Sequence, residues 1–162
     1  MPSSKLEREF HDKTKARCFN EAWEFLEKKH RTVPDAERML NLAHAARFHA
    51  GVGGDPRSQG IGDWQISRVY AALHEPRLAM MFAQSALEIF ETHLLSDLTC
   101  TGHEAVARAY AVADDPKSAK DHIAKARELL DASSVDAEGR EIFLGQIRQT
   151  ERLIGRPSVG RV

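Results

Sequence analysis

Arg68 and Arg108 stand 40 residues apart, and each has a distinctive residue four places earlier, Trp64 and Glu104. Residues four apart share one face of a helix. A guanidinium offers a planar fork of N–H donors that fits a carboxylate or a phosphate. On matching neighbouring helices the two arginines would project side by side, about 10 Å apart. Trp64 would add a stacking plane and Gln65 a further polar group. A structural reading stands beside this one. Glu104 and Arg108 can form a simple i,i+4 ion pair. Glu104 can also close a capping box from Thr101 if a helix begins at TGHE. Trp64 can pack rather than face a ligand.

The eight histidines raise metal binding as an alternative. His44 and His49 lie on one helix but about 140° apart around it, so they do not share a metal by themselves. His103 and Glu104 begin like the zinc-protease helix motif, but the fifth position is Ala107. A site built across helices from His44, His103 and Glu104 is the remaining metal candidate. No complete metal-ligand set and no cofactor motif is read. Asn41, His44, Arg47 and Phe48 share a helix face and bring three polar groups onto it. One expectation follows: His44, Arg47, Gln65, Arg68, Glu104 and Arg108 form a single polar network.

Other chemistries find less support. The segment GVGGDPRSQGIG lacks the lysine–serine or lysine–threonine ending of a phosphate loop and follows a helix rather than a strand. It reads as a mobile surface loop, with a flap over the groove as the alternative. No GxSxG occurs, and Cys18 and Cys100 sit in no metal-binding or redox motif. The cysteines read as a reduced pair. Nothing local therefore favours an enzyme.

The elements that would position these residues are helices. Apolar residues recur at helical spacing almost throughout, and no strand is read. A first helix is expected from Lys5 or Lys13 to Lys29, and a second from Pro34 to Gly51. A third runs from Asp63 to His74, a fourth from Pro76 to Leu95 and a fifth from Asp97 to Ala113. The sixth runs from Pro116 to Ala132. The seventh is capped by Ser133 or Ser134 and ends at Ile154. Proline suits a first turn, and a preceding aspartate suits the cap. The chain has 162 residues, enough for one domain, assigned to residues 1–155 with a frayed tail at 156–162. The formal charge of −1 argues against a nucleic-acid partner. The absence of an apolar span or leader argues against a membrane and for a cytoplasmic location.

The chain also repeats itself. SRVYAALHEPRLAMMFAQSALEIF, at residues 67–90, aligns with ARAYAVADDPKSAKDHIAKARELL, at residues 107–130. Arg68, Tyr70, Ala71, Pro76, Ala79, Ala86 and Glu88 recur as Arg108, Tyr110, Ala111, Pro116, Ala119, Ala126 and Glu128. Such a period marks stacked helical hairpins. A weaker third copy places Met39, Ala43 and Ala46 under Ala79, Ala83 and Ala86.

The repeated segment resembles the tetratricopeptide repeat. Tyr70 and Tyr110 fall at its aromatic place, and Ser67 and Ala107 at the small place three residues earlier. Ala79, Ala86, Ala119 and Ala126 fall at the small places of its second helix. The period of 40 exceeds the usual 34. The segments NLAHAARFH, WQISRVYAAL and HEAVARAYAVA are also similar to a small bacterial group of tetratricopeptide-like proteins without assigned activity. The resemblance implies an all-α superhelix of about seven helices in antiparallel hairpins with a C-terminal capping helix. It also implies that Trp64, Gln65, Arg68, Glu104 and Arg108 line a concave groove. The first expectation is thus a module that binds a protein, a peptide or a second copy of itself. The alternative is a small-molecule or metal-binding protein, possible as an enzyme, with a pocket at His44, Arg47, Arg68, His103 and Glu104.

Overall fold

The computed structural model describes residues 4–155, so the expected tail at 156–162 lies outside the described residues. Within them the chain forms seven α-helices and no strand. The helices are α1 (Lys5–Leu26), α2 (Val33–Gly53), α3 (Pro56–Ala72), α4 (Pro76–Thr92), α5 (Ser96–Val112), α6 (Pro116–Ala132) and α7 (Ala137–Ile154). None of the described helices is long and apolar enough to cross a membrane.

Four of these helices are cut to one length by their ends. α3 to α6 each hold 17 residues, and their first residues, Pro56, Pro76, Ser96 and Pro116, recur every 20. Proline at the first position needs no N–H partner and has its φ preset. Each of α3, α4 and α5 stops at a left-handed residue: His74 (φ 58°), Leu94 (φ 53°) and Asp114 (φ 62°). In each turn the next amide reaches back to the helix: Glu75 N to Tyr70 O, Leu95 N to Phe90 O, and Asp115 N to Tyr110 O, at 2.8–3.0 Å. This is the Schellman closure, which satisfies the last carbonyls and reverses the chain. Gly54 (φ 69°) makes the left-handed stop after α2.

The tight turns fold α3 on α4 and α5 on α6, a six-residue connector folds α1 on α2, and α2–α3 and α4–α5 contacts join the hairpins. The even-numbered helices bury equivalent positions: Met39, Ala43, Ala46 and Ala50 in α2; Ala79, Ala83, Ala86 and Phe90 in α4; Ala119, Ile123, Ala126 and Leu130 in α6. These sets are 40 residues apart, so the weak third copy has the same packing role as the other two. Small side chains on this stripe let neighbouring axes approach closely.

The glycine-rich segment is helical, not a loop. Gly51 and Gly53 end α2, and Gly60 and Gly62 are buried in the first half of α3. Packing overrides glycine's weak helix propensity here. A Cβ on Gly60 would lie 2.5 Å from Phe90 Cε1, and one on Gly62 would lie 2.7 Å from Arg47 Cδ. Gly102, the equivalent of Gly62, makes the same close approach to Leu87 of α4. No flap remains. The third helix begins seven residues before the expected Asp63, and α1 ends at Leu26, three short of Lys29.

The terminal helix departs from the pattern. Its cap is Asp136, whose side chain accepts from Gly139 N, rather than Ser133 or Ser134. The place of Gly62 and Gly102 is taken in α7 by Ile142, which is 54% exposed. A branched side chain cannot make the glycine contact. Of the helices that precede it, α5 packs more on the even helix α4 than on the odd helix α3, whereas α7 leans on the odd helix α5 more than on the even helix α6.

Two substitutions test this account by urea denaturation. Leu94→Gly removes a left-handed penalty at an exposed position and should raise stability by about 1 kcal/mol. Gly60→Ala should lower it by about 1–3 kcal/mol through overpacking against Phe90. A neutral Gly60→Ala would refute the close α3–α4 approach.

Candidate functional site

Glu104 is the organising group. It sits midway along α5 and is 1% exposed. A buried carboxylate needs partners on every lone pair it can fill. Oε2 accepts from Arg68 Nη1 at 3.1 Å. Oε1 accepts from Arg108 Nε and Nη2 at 3.1 and 3.0 Å, and from Thr150 Oγ1 at 2.5 Å. The cluster therefore joins α3, α5 and α7.

Arg68 is buried as well. Its guanidinium lies 5.3 Å from the Trp23 ring centroid and 5.2 Å from that of Trp64. Its Nη2 donates to Gln149 Oε1 at 2.9 Å. Burial, and then the neighbouring Arg108, push its pKa down to about 10, against the pull of Glu104. It stays charged at neutral pH. Two guanidiniums thus share one carboxylate. Breaking such a pair strands a buried charge, whereas the intact pair adds little net stability.

A cleft of about 520 Å³ opens beside this cluster, lined by Trp23, Arg31, Arg68, Arg108, Gln149 and Leu153 among others. Leu26, Ala72 and Val112, the last residues of α1, α3 and α5, also line it, so helix C-termini converge here. Those ends carry partial negative charge. Arg31 answers it at α1, donating from Nη1 to the carbonyls of Phe25, Leu26 and Lys28 at 3.0–3.1 Å. Arg108 keeps a donor to spare: among the described residues its Nη1 makes no hydrogen bond, as is also true of Nε and Nη2 of Arg31.

The sequence-derived candidates divide into three groups. Arg68, Glu104 and Arg108 do meet. Trp64 lies beside Arg68, but it packs against Trp23 at 5.7 Å between centroids and is 7% exposed. Gln65 is fully buried and turns the other way, donating to Phe19 O at 2.8 Å. Trp64, Gln65 and Glu104 therefore do not line an open groove, because α1 and α7 flank them. His44 and Arg47 are separate from the cluster. His44 is exposed on α2 and meets Tyr70 OH at 3.1 Å. Arg47 pairs with buried Asp63 at 2.6 Å. The expected single network is thus broken up: Arg68, Glu104 and Arg108 form one cluster, while His44, Arg47 and Gln65 each take a separate partner, since α2 makes no contact with α5 among the described residues.

The structure does not bring His44, His103 and Glu104 together either. His103 Nδ1 faces His122 Nδ1 at 3.0 Å, on the α5–α6 side and away from His44. Among the described residues no group of three or more His, Cys, Asp or Glu is placed to hold a metal. Glu104 is no capping residue either: α5 begins at Ser96, and Thr101 donates to Gln146 Oε1 at 2.8 Å.

Several site residues carried no local signal. Trp23 was readable as an apolar position of the first helix, but not as a platform for Arg68. Gln146, Gln149 and Thr150 looked like the polar side of a terminal helix. Only their spacing, three and four apart, marks them as one face.

Glu104→Gln should cost about 3 kcal/mol, because it removes the charge that two buried arginines share. A loss under about 1 kcal/mol would mean the arginines are hydrated. Stability should also fall in acid. Burial, with His122 and Lys125 adding, pushes His103 down to about 4, below its ordinary 6.5. The unfolded chain then binds more protons between those values, so stability is full above pH 6.5 and declines toward pH 4. The His103 share of that loss is on the order of 3 kcal/mol at most. His44, His49 and His122 are also pushed down, chiefly by burial, and act with the same sign. Urea midpoints from pH 7.5 to 4.5 check this, and His103→Gln should flatten the curve.

Compared with family models, curated proteins and solved structures, the chain matches none.

Proposed function

We propose that this chain is a helical-repeat binding module that takes a carboxylate-bearing peptide or protein segment into the cleft at the C-terminal ends of the odd-numbered helices. The observation that carries the reading is Arg108. It is held from one side by buried Glu104, and its unused Nη1 belongs to a residue that lines the cleft. A fixed guanidinium offers directional donors at low entropic cost, and a carboxylate accepts two of them in parallel. Trp23, Val112 and Leu153 supply apolar wall for the rest of the segment. The 40-residue repeat and its resemblance to tetratricopeptide arrays agree with this, since stacked hairpins often present binding surfaces. A cytoplasmic location fits the same reading.

A second reading, a small anionic molecule, is favoured by size. A volume of about 520 Å³ lies within the common range for small-ligand pockets.

The test uses immobilised full-length protein and a pool of random decapeptides, with free or amidated C-termini. Peptides with free carboxylates should be retained, and Arg108→Gln, which keeps a donor for Glu104, should weaken retention about tenfold or more. Equal retention by both proteins would reject the site. A co-purifying small mass in native mass spectrometry, lost on denaturation, would select the second reading.

A further inference from the structure

α7 is seated differently from every other odd helix. α3 and α5 each bring a glycine, Gly62 or Gly102, against the even helix before them. α7 has Ile142 at the equivalent place, leaves it exposed, and moves onto α5. Its inner face then reads Phe143, Gln146, Ile147, Thr150, a spacing of three, four and seven. Phe143 packs on the Trp64–Phe90–Leu98 cluster and Ile147 is 1% exposed. The polar members meet polar groups of α5 and α3: Gln146 with Thr101, Gln149 with Arg68, and Thr150 with Glu104.

This seat is only lightly secured. As an end helix α7 buries two residues, Ile147 and Thr150, the same number as α1 at the other end, against nine in α5 and ten in α3. Its connector also differs. The junctions after α2, α3, α4 and α5 close through a left-handed residue, but the α6–α7 junction, like that of α1 and α2, does not. Ser133 (ψ 158°) and Asp136 (ψ 171°) are extended there. An extended connector can let a helix leave without unwinding its neighbours.

We propose that the α3–α5 face beneath α7 is a helix-binding groove, with α7 as its built-in occupant. The partner is an amphipathic helix with uncharged hydrogen-bonding side chains at positions equivalent to Gln146, Gln149 and Thr150, and apolar anchors at those of Phe143 and Ile147. The occupant in place defines that chemistry. Buried Glu104 already has two cations, so the partner must present neutral donors and acceptors there rather than another charge. Helix-in-groove recognition uses this i, i+3, i+4, i+7 set of anchors. The inference deepens the module reading by adding a second, adjoining surface, since Gln149 and Leu153 of α7 also form part of the cleft wall.

The probe is a fluorescent synthetic peptide of α7's own sequence, residues 137–155, added to full-length protein. Ile147→Ala in the chain weakens the internal occupant. The peptide should bind that variant about tenfold or more tightly than wild type, because less of the groove is occupied in cis. Hydrogen exchange should show α7 amides opening well before those of α3 and α5, and the added peptide should slow exchange of α5 amides. Circular dichroism reports whether Ile147→Ala remains folded. If it does not, Gln149→Ala, at the cleft rim, replaces it with a smaller shift in the same direction. Equal peptide binding by wild type and both variants, or α7 amides that exchange only with the whole molecule, would overturn the proposal. No ligand of the cleft enters this measurement, so it can fail while the Arg108 assignment stands, and the reverse.

Discussion

The structure depends on how closely one helix can approach the next. Neighbouring hairpins approach closely along stripes that carry alanine or glycine: Ala43 and Ala46 in α2, Ala83 and Ala86 in α4, Gly62 in α3 and Gly102 in α5. Dispersion and apolar burial grow steeply as backbones close, and one methyl group at Gly60 is enough to strike Phe90. Close stacking has a second effect. It excludes water from the middle of the odd-numbered helices, where the sequence carries polar side chains.

Those polar groups must then satisfy one another. Glu104 takes donors from three helices because no water reaches it. Arg68 accepts burial because two indole faces and two acceptors surround it. The cluster is better understood as a device for specificity than as a source of stability, since an apolar replacement of the same shape would often do as well energetically. It tells α7 where to sit. It also holds Arg108 rigid at the edge of the cleft, where a guanidinium can act on something outside the fold. Not every group in this layer is answered: Trp64 Nε1, Gln65 Oε1 and Ser67 Oγ are buried without a hydrogen-bond partner among the described residues.

The repeat is complete in its turns and incomplete at its end. Left-handed stops every 20 residues from Gly54 to Asp114 give α3, α4 and α5 the same length, and equal lengths keep the stripes in register from one hairpin to the next. At α7 the register continues but the glycine does not. The last helix therefore satisfies its apolar face on α5, where a polar layer was already waiting.

Helix number, helix type and the 40-residue period were set by local chemistry. Pro76 and Pro116 preset a first turn, alanines at i, i+4 and i+7 mark a buried stripe, and both are legible without coordinates. The meeting of Arg68, Glu104 and Arg108 was partly legible for the same reason, since a period places equivalent residues side by side. Three outcomes belonged to the tertiary structure. Glycines at 51–62 looked like a loop because propensity is local, while the gain from a close α3–α4 contact is not. His44 and Arg47 looked like members of the cluster because a single helix face does not say which neighbour it meets. The seat of α7 depends on a side chain that is absent, a glycine at position 142, and on partners more than 30 residues away. A helix that could equally cap a stack or fill a groove is assigned only when the competing surfaces exist in three dimensions.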